Sequence, residues 1–441
     1  ITQEATHFDY ELQCLLQVIF EGILEILLQY YPIYENMIIN QQEESGIEED
    51  VEGGPQRFIS AICEFSVAFA RSPRTLFLLP IYIPFLFERL VPFFQITEMQ
   101  RILWSIDLNS FIAQQEEAVP AESVRLDGKS VMETFLGEFP EETIIAVIKV
   151  ANIMLERALE KQECGSPFYW KLQEVALWLV GLIGPSLTDI SSISMKSIIV
   201  EMARVLLQEE CPDFLRACGL WAASRMQVYM KANYPEEVNS ILTISAHALS
   251  SDKTALVRIS ACKSFENFLG ICTNKEFRKS VVLSRGVLES LLNFLTSFSE
   301  DALRLTLDVL TSIVRHCPDA ILEQESRIVP LVLTVWGHSC NDPLVNTFFQ
   351  QFLHTACHSS QLLRTNLEER LIPHIIEAFT QYKLGLEKGG RNDIESNTIS
   401  VCMDAYTVLV DCQPDQQPYS LSELLWKAFD PFVEVHMNYR K

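Results

Sequence analysis

Not one lysine or arginine occurs in the first 56 residues, against twelve Asp or Glu. Nucleic-acid faces need basic patches, so this stretch and the net charge of −24 argue against direct nucleic-acid binding. Phosphate-cradling and nucleophile-elbow runs are missing as well: there is no P-loop, no G-x-G-x-x-G and no G-x-S-x-G among the 16 glycines. With no clustered catalytic set either, the chain reads as no enzyme, with no cofactor. The twelve cysteines include no C-x-x-C pair. Cys14, Cys63, Cys262 and Cys402 sit beside apolar residues on helical patterns, which predicts buried free thiols in a reducing compartment. The uncharged run Thr75–Phe87 is too short for a bilayer and holds Pro80 and Pro84, so a buried helix is expected and no membrane partner. No signal peptide is visible, and the chain opens at Ile1 in mid-pattern, as expected of an excised piece. Strand-like alternation of useful length is absent too.

Helical periodicity fills the space these absences leave. Ser251–Leu269 reads as one amphipathic helix, with Ser251 or Asp252 capping its first turn and Val257, Ala261, Phe265, Phe268 and Leu269 on one stripe. Arg258 follows Asp252 by six residues, with a small residue three later; an acid, then Val-Arg, then a small residue marks the second helix of a HEAT repeat. Pro235 at N1, Glu236 and Glu237 in the first turn, and a face of Val238, Ile241, Leu242, Ser245 and Leu249 supply the first helix. Val124, Arg125 and Gly128 repeat the signature.

Helices are expected at Phe8–Tyr31, ended by Pro32 and facing inward through Leu12, Leu15, Leu16, Ile19 and Ile23, and at Arg57–Ala70, through Phe58, Ile62, Phe65 and Phe69. Further helices are expected at Thr75–Phe94, Thr97–Ile106, Glu141–Lys161, Pro167–Ile183, Thr188–Gln208 and Asp213–Met230. C-terminal to the Tyr234–Ile271 hairpin come Lys275–Phe298 with Asp301–His316, Pro318–His338 with Asp342–His358, Gln361–Tyr382 with Asp393–Asp411, and a partial unit at Leu421–His436. The acids Asp213, Asp252, Asp301, Asp342 and Asp393 open second helices at separations of 39, 49, 41 and 51 residues, near the HEAT period. The fold class is therefore all-α: an α-solenoid of HEAT-type antiparallel helical hairpins, continuous over residues 1–441.

Two acidic segments interrupt it. Residues 40–55 hold six acids, three glycines and a proline, and read as a mobile loop. Residues 107–122 read as a second, irregular acidic loop. The candidate cargo-binding residues are Glu43, Glu44, Glu48, Glu49, Asp50 and Glu52 in the first, and Asp107, Glu116, Glu117 and Glu122 in the second. Such carboxylates suit a Lys/Arg-rich protein partner, attracted over long range with little demand on shape.

Elsewhere the chemistry is sparse. His354 and His358 lie one helical turn apart with Cys357 between them, a spacing that can share a metal, but no third ligand is evident and a repeat-junction face is the better account. His316 and His338 fall at helix ends, where they complement the dipole. Trp104 and Trp221 read as core. Arg125 and Arg258 are expected to bond acids or helix ends of neighbouring repeats.

Specific stretches resemble a known family. Gln95–Gly128, with Trp104, Asp107, Phe111, Glu116, Glu117, Val124 and Arg125 in their places, is similar to a segment of the importin-β-type nuclear transport receptors (karyopherin-β). Leu220–Arg225, Val257–Ala261 and the acidic insertion at Glu43–Glu52 resemble counterparts in that family's importin-9 branch. The resemblance covers most of residues 10–360 and implies the middle of a longer import receptor. It further implies basic cargo such as core histones and ribosomal proteins, regulation by Ran-GTP with the main Ran contact in amino-terminal repeats outside this chain, and contact with FG-repeat proteins of the pore. A monomer shuttling between cytoplasm and nucleus is expected. An exportin-2-type exporter and a static HEAT scaffold stay open as alternatives; the first tightens on cargo with Ran-GTP and the second ignores it.

Overall fold

The computed structural model describes residues 2–40, 54–73, 75, 79–116, 123–189, 195–284, 286–297, 300–338, 342–387 and 393–412; at 2–13, 114–116, 284, 297, 300–301, 382–387 and 393–397 it describes backbone alone. Regular structure among them is entirely helical. The chain divides into two compact units: Ile1–Ala248 with Asp252–Ser264, and Leu249–Ser251 with Phe265–Lys441.

The first unit holds α1 (Thr2–Tyr34), α2 (Pro55–Ala70), α3 (Leu79–Leu90), α4 (Glu98–Ile106), α5 (Leu108–Glu116), α6 (Val124–Glu138), α7 (Pro140–Glu163), α8 (Tyr169–Ile183), α9 (Lys196–Leu207), α10 (Asp213–Arg225), α11 (Gln227–Asn233), most of α12 (Pro235–Ser251) and the start of α13 (Ala255–Ile271). In one layer α1, α3, α7 and α9 pack side by side; in the other α2, α6, α8 and α10 do, and α7–α8 and α9–α10 face each other as hairpins. Each helix thus buries its apolar stripe against the like helix of the next repeat, the arrangement of an α-solenoid. The helix starts follow local chemistry. Pro55, Pro140 and Pro235 stand at the first helical positions of α2, α7 and α12, and Thr97 and Gln100 form a reciprocal capping box on α4. α7 ends at Gly165, whose φ of 76° suits a residue without Cβ. The residues of α8 from Trp170 to Ile183 are all buried, so that helix is the centre of the unit.

α1 departs from expectation. It runs through Pro32 to Tyr34 and continues as a π turn, Glu35–Ile39. A proline removes one donor and crowds the preceding turn, and a widened turn after it absorbs the misfit. Its buried line is Phe20, Leu27 and Tyr34, whereas Leu15 and Ile19 are 56% and 40% exposed, and Leu16 and Ile23 are half-buried. Ring contacts set this rotation: Phe20 meets Phe69 at 5.3 Å and Tyr82 at 5.1 Å, and Tyr34 meets Phe93 at 5.0 Å. Cys14 is exposed as a consequence, unlike Cys63, Cys262 and Cys402, which are buried. By length and composition Cys14–Ile39 could cross a membrane; Glu21 within it accepts a hydrogen bond from Tyr82 on α3. On α2 the buried face is Ile59, Ile62, Cys63, Ser66, Phe69 and Ala70, so Phe58 turns outward and Phe65 is half-buried. At the turn between α12 and α13, α12 persists through Ser251, and Asp252 accepts the N–H and hydroxyl of Thr254 at 2.9 Å before α13 begins. The predicted stripe from Val257 to Leu269 is buried.

The second unit comprises the rest of α13, then α14 (Lys275–Ser284), α15 (Val287–Ser297), α16 (Glu300–His316), α17 (Pro318–Glu323), α18 (Glu325–His338), α19 (Pro343–Ser359), α20 (Gln361–Glu387) and α21 (Asp393–Asp411). The two-layer plan repeats, with α15, α18 and α20 in one layer and α16, α19 and α21 in the other. Asp342 caps α19 by accepting the N–H groups of Leu344 and Val345. Trp336 stacks on Phe349 at 4.5 Å and donates its indole N–H to Asn346 at 3.0 Å. Two expected single helices are each two: Gly286, at φ 68°, parts α14 from α15, and Gln324 parts α17 from α18. The predicted unit Leu421–His436 lies outside the described residues.

The small residue of the Val-Arg signature has a steric reason. A Cβ on Gly128 would stand within 2.7 Å of three ring carbons of Phe94, itself fully buried. Gly128→Ala is therefore expected to destabilise the protein by about 1–3 kcal/mol, read as a lowered urea midpoint; unchanged stability would show that the ring yields freely.

Candidate functional site

The ten carboxylates selected from the sequence divide three ways. Glu43, Glu44, Glu48, Glu49, Asp50, Glu52, Glu117 and Glu122 lie outside the described residues. Glu116 is the last residue of α5, described by its backbone alone. Asp107 links α4 to α5 and caps the latter, accepting the Ser110 hydroxyl at 2.5 Å and the Asn109 N–H at 3.0 Å. The Ser110 hydroxyl, aided by both backbone N–H groups, holds the Asp107 carboxyl below its ordinary range. Residues 108–116, expected to be irregular, are helical for this reason: Asp107 supplies the cap and Phe111 and Ile112 supply buried anchors.

What the structure does describe is how the chain is held at both acidic segments. Ile39 closes the π turn just before the first, and its carbonyl accepts Lys171 Nζ at 2.5 Å. Glu98, in the first turn of α4, pairs with the same Nζ at 2.7 Å. Lys171 is fully buried on α8, with the rings of Phe168 and Trp170 4.8 and 5.9 Å away. Burial alone would raise the Glu98 carboxyl, but hydrogen bonds from Lys171 and Arg101 outweigh it and hold it below the usual glutamate value. Burial pushes the Lys171 ammonium down, opposed by Glu98.

One turn along α8, Glu174 takes Arg125 of α6 in a two-pronged pair, at 2.9 and 2.5 Å, and Arg125 also donates to the Phe94 carbonyl at 3.0 Å. The guanidinium lies over the Trp178 ring at 4.4 Å. The α4–α5 pair closes over this cluster: Trp104 is buried against Phe111 at 5.8 Å and Phe214 of α10 at 6.1 Å. Beneath it lies a cavity of about 70 Å³, well below the roughly 300 Å³ of a small-molecule pocket. Trp221 borders that cavity half-buried, in the space Gly181 leaves by lacking a Cβ. Arg125 therefore bonds its neighbouring repeat as the sequence predicts, and Arg216 of α10 makes a like pair with Asp252. Lys171, Glu98 and Glu174 escaped sequence reasoning because they belong to no motif. The available signal was a lysine and a glutamate inside a helix with no polar face.

Lys171→Met leaves Glu98 and the Ile39 carbonyl short of a partner, and an expected loss of about 3–5 kcal/mol follows. Adding Glu98→Gln should recover part of it in a double-mutant cycle. Because the Glu98 carboxyl sits below its ordinary 4.5, its share of stability is present at neutral pH and lost as the pH falls through that value and below. Acid titrations of wild type and Glu98→Gln check this, the variant showing the shallower decline.

The model of the importin-9 central HEAT repeats matches residues 82–333. Importin-9 of Drosophila melanogaster is 22% identical over 366 residues, which cover 80% of this chain and 36% of that protein, so the chain spans about a third of that relative. Among solved structures, a designed armadillo repeat protein aligns with a TM-score of 0.33 at 14% identity, over 56% of this chain and 99% of its own. An engineered protein aligns with 0.43 at 14%, over 81% and 92%. Likenesses that slight carry no argument. The family match, in contrast, takes in more than half of the chain and both buried ion pairs on α8, and it shows that the chain belongs to the family of importin-9 central HEAT repeats.

Proposed function

We propose that this chain is the cargo-holding middle of a nuclear import receptor, and that its acidic segments attract basic proteins such as core histones and ribosomal proteins. The observation that carries the reading is the charge distribution: residues 1–142 hold 24 acids and 7 basic residues, about −17 of the total −24. Membership of the importin-9 family supports transport as the setting. Carboxylates crowded onto short segments raise the local concentration of a basic partner before any close fit is made. Ran-GTP regulates release, FG-repeat proteins carry the receptor through the pore as a monomer, and the receptor shuttles between cytoplasm and nucleus.

Binding of a core-histone dimer should weaken steeply as added salt shortens the Debye length from about 10 Å at 0.1 M to about 3 Å at 1 M. Replacing Glu43, Glu44, Glu48, Glu49, Asp50 and Glu52 together by their amides should slow association by about tenfold or more at low salt, with a smaller change in dissociation. Salt-independent affinity, or an unchanged association rate, sinks the proposal. For Ran, cargo affinity is compared with and without Ran-GTP on the full-length receptor. Weakening supports import, tightening marks an exporter, and indifference marks a scaffold.

A further inference from the structure

The His354–His358 pair on α19 lacks a third ligand in the linear sequence, and the fold supplies one. Cys412, just past the end of α21, brings its Sγ to the two imidazoles, and the three donor atoms lie within 4.8 Å of one another. The two rings face each other at 4.4 Å between centroids, tilted by 56°. Both histidines are exposed and Cys412 is buried, so the cluster opens to solvent on its imidazole side. The backbone at Cys412 is held independently: Arg364, buried at the start of α20, donates Nη1 to the Cys412 carbonyl at 3.1 Å.

We propose that His354, His358 and Cys412 form a binding site for a zinc-class divalent cation, with one coordination position left to water. Imidazole and thiolate together favour zinc and its neighbours over magnesium or calcium, whose preferred ligands are oxygens. Tetrahedral zinc, with Zn–N of about 2.0–2.1 Å and Zn–S of about 2.3 Å, sets adjacent donors about 3.3–3.6 Å apart. The three donors need to draw together by little more than about 1 Å, which side-chain rotation of two exposed imidazoles provides. Burial raises the Cys412 thiol; Asp411 and Glu368 add to the rise, while a hydrogen bond with Cys357 and the Arg364 guanidinium oppose it. Coordination therefore expels the Cys412 proton to solvent as the Zn–S bond forms, leaving the sulfur as thiolate. Cys357 is not assigned as a ligand: it is buried and stands outside the three donors that lie within 4.8 Å of one another. The bound ion would tie the end of α21 to α19 within the second unit.

The test is titration of the purified full chain with Co²⁺ as the spectroscopic probe, followed by competition with Zn²⁺. One equivalent of Co²⁺ per chain is expected to produce a thiolate-to-cobalt charge-transfer band that Zn²⁺ removes. His354→Ala and Cys412→Ser should each weaken binding by about tenfold to a hundredfold or abolish it, and Cys412→Ser should remove the band. Cys357→Ser should keep both band and stoichiometry. Far-ultraviolet circular dichroism verifies that each variant is folded; the exposed His354→Ala keeps the test decisive even if Cys412→Ser unfolds. No charge-transfer band, a band that survives in folded Cys412→Ser, or binding indifferent to His354→Ala overturns the assignment.

Discussion

A guanidinium and a carboxylate removed from water hold the first unit in register. Arg125 and Glu174 expose only 8% and 2% of their side chains. Desolvating two charges costs several kcal/mol each, and the attraction between them offsets it only when the geometry is good and remaining donors find acceptors. Here the fork meets both carboxylate oxygens, the Phe94 carbonyl takes a further N–H, and the Trp178 face covers the cation. The result joins the turn after α3 to α6 and to α8. Apolar burial around α8 is extensive but non-directional. The two-pronged pair adds a directional constraint to the register that the Gly181–Trp221 fit already favours. Lys171, three residues earlier on the same helix, imposes the same discipline on the end of the π turn and the start of α4.

These internal pairs also order the charge. Cations on α7 and α8 reach back to acids in the first third of the chain: Lys161 to Glu35, Arg157 to Glu88 and Lys171 to Glu98. Each is a carboxylate built into a helix or turn, and each is used in packing. The six acids of residues 43–52 are set in the sequence between the anchored Ile39 and the proline-started α2, and no lysine or arginine occurs before Arg57. The acids paired within the fold and the acidic run at 43–52 thus occupy separate stretches of the sequence. Asp107, selected with that run from the sequence, serves a helix cap with both its oxygens.

Periodicity made the helices legible where their physics is local. α21 begins and ends at the predicted residues, and α12, α16 and α19 lie within a residue or two of prediction, because caps, prolines and stripes mark them. Legibility failed where a neighbour chose between near-equal options. α1 is apolar on most sides, so its buried face was decided by Phe69, Tyr82 and Phe93 rather than by its own pattern. α5 looked irregular because its polar composition is weak evidence, and its cap and its two buried anchors outweigh that composition. For the candidate site, the acidity was plain from composition, whereas the residues that anchor the flanking chain were not, since a lone lysine or glutamate in an apolar helix resembles noise.

The long-range partners that the sequence left unnamed share one property. Arg125 reaches Phe94 31 residues back and Glu174 49 residues on; Arg216 reaches Asp252 over 36, Arg370 reaches Glu325 over 45, and Arg364 reaches Cys412 over 48. The turn acids recur every 39 to 51 residues. Most of these partners therefore stand about one repeat apart. In a solenoid, like helices of successive repeats are neighbours, so a charge buried in one repeat meets its counterpart one period away and seldom nearby in the chain. Helical spacing pairs His354 with His358 one turn apart. One repeat period further on, the neighbourhood of Cys412 returns to them, and Glu174 returns to Arg125 by the same spacing.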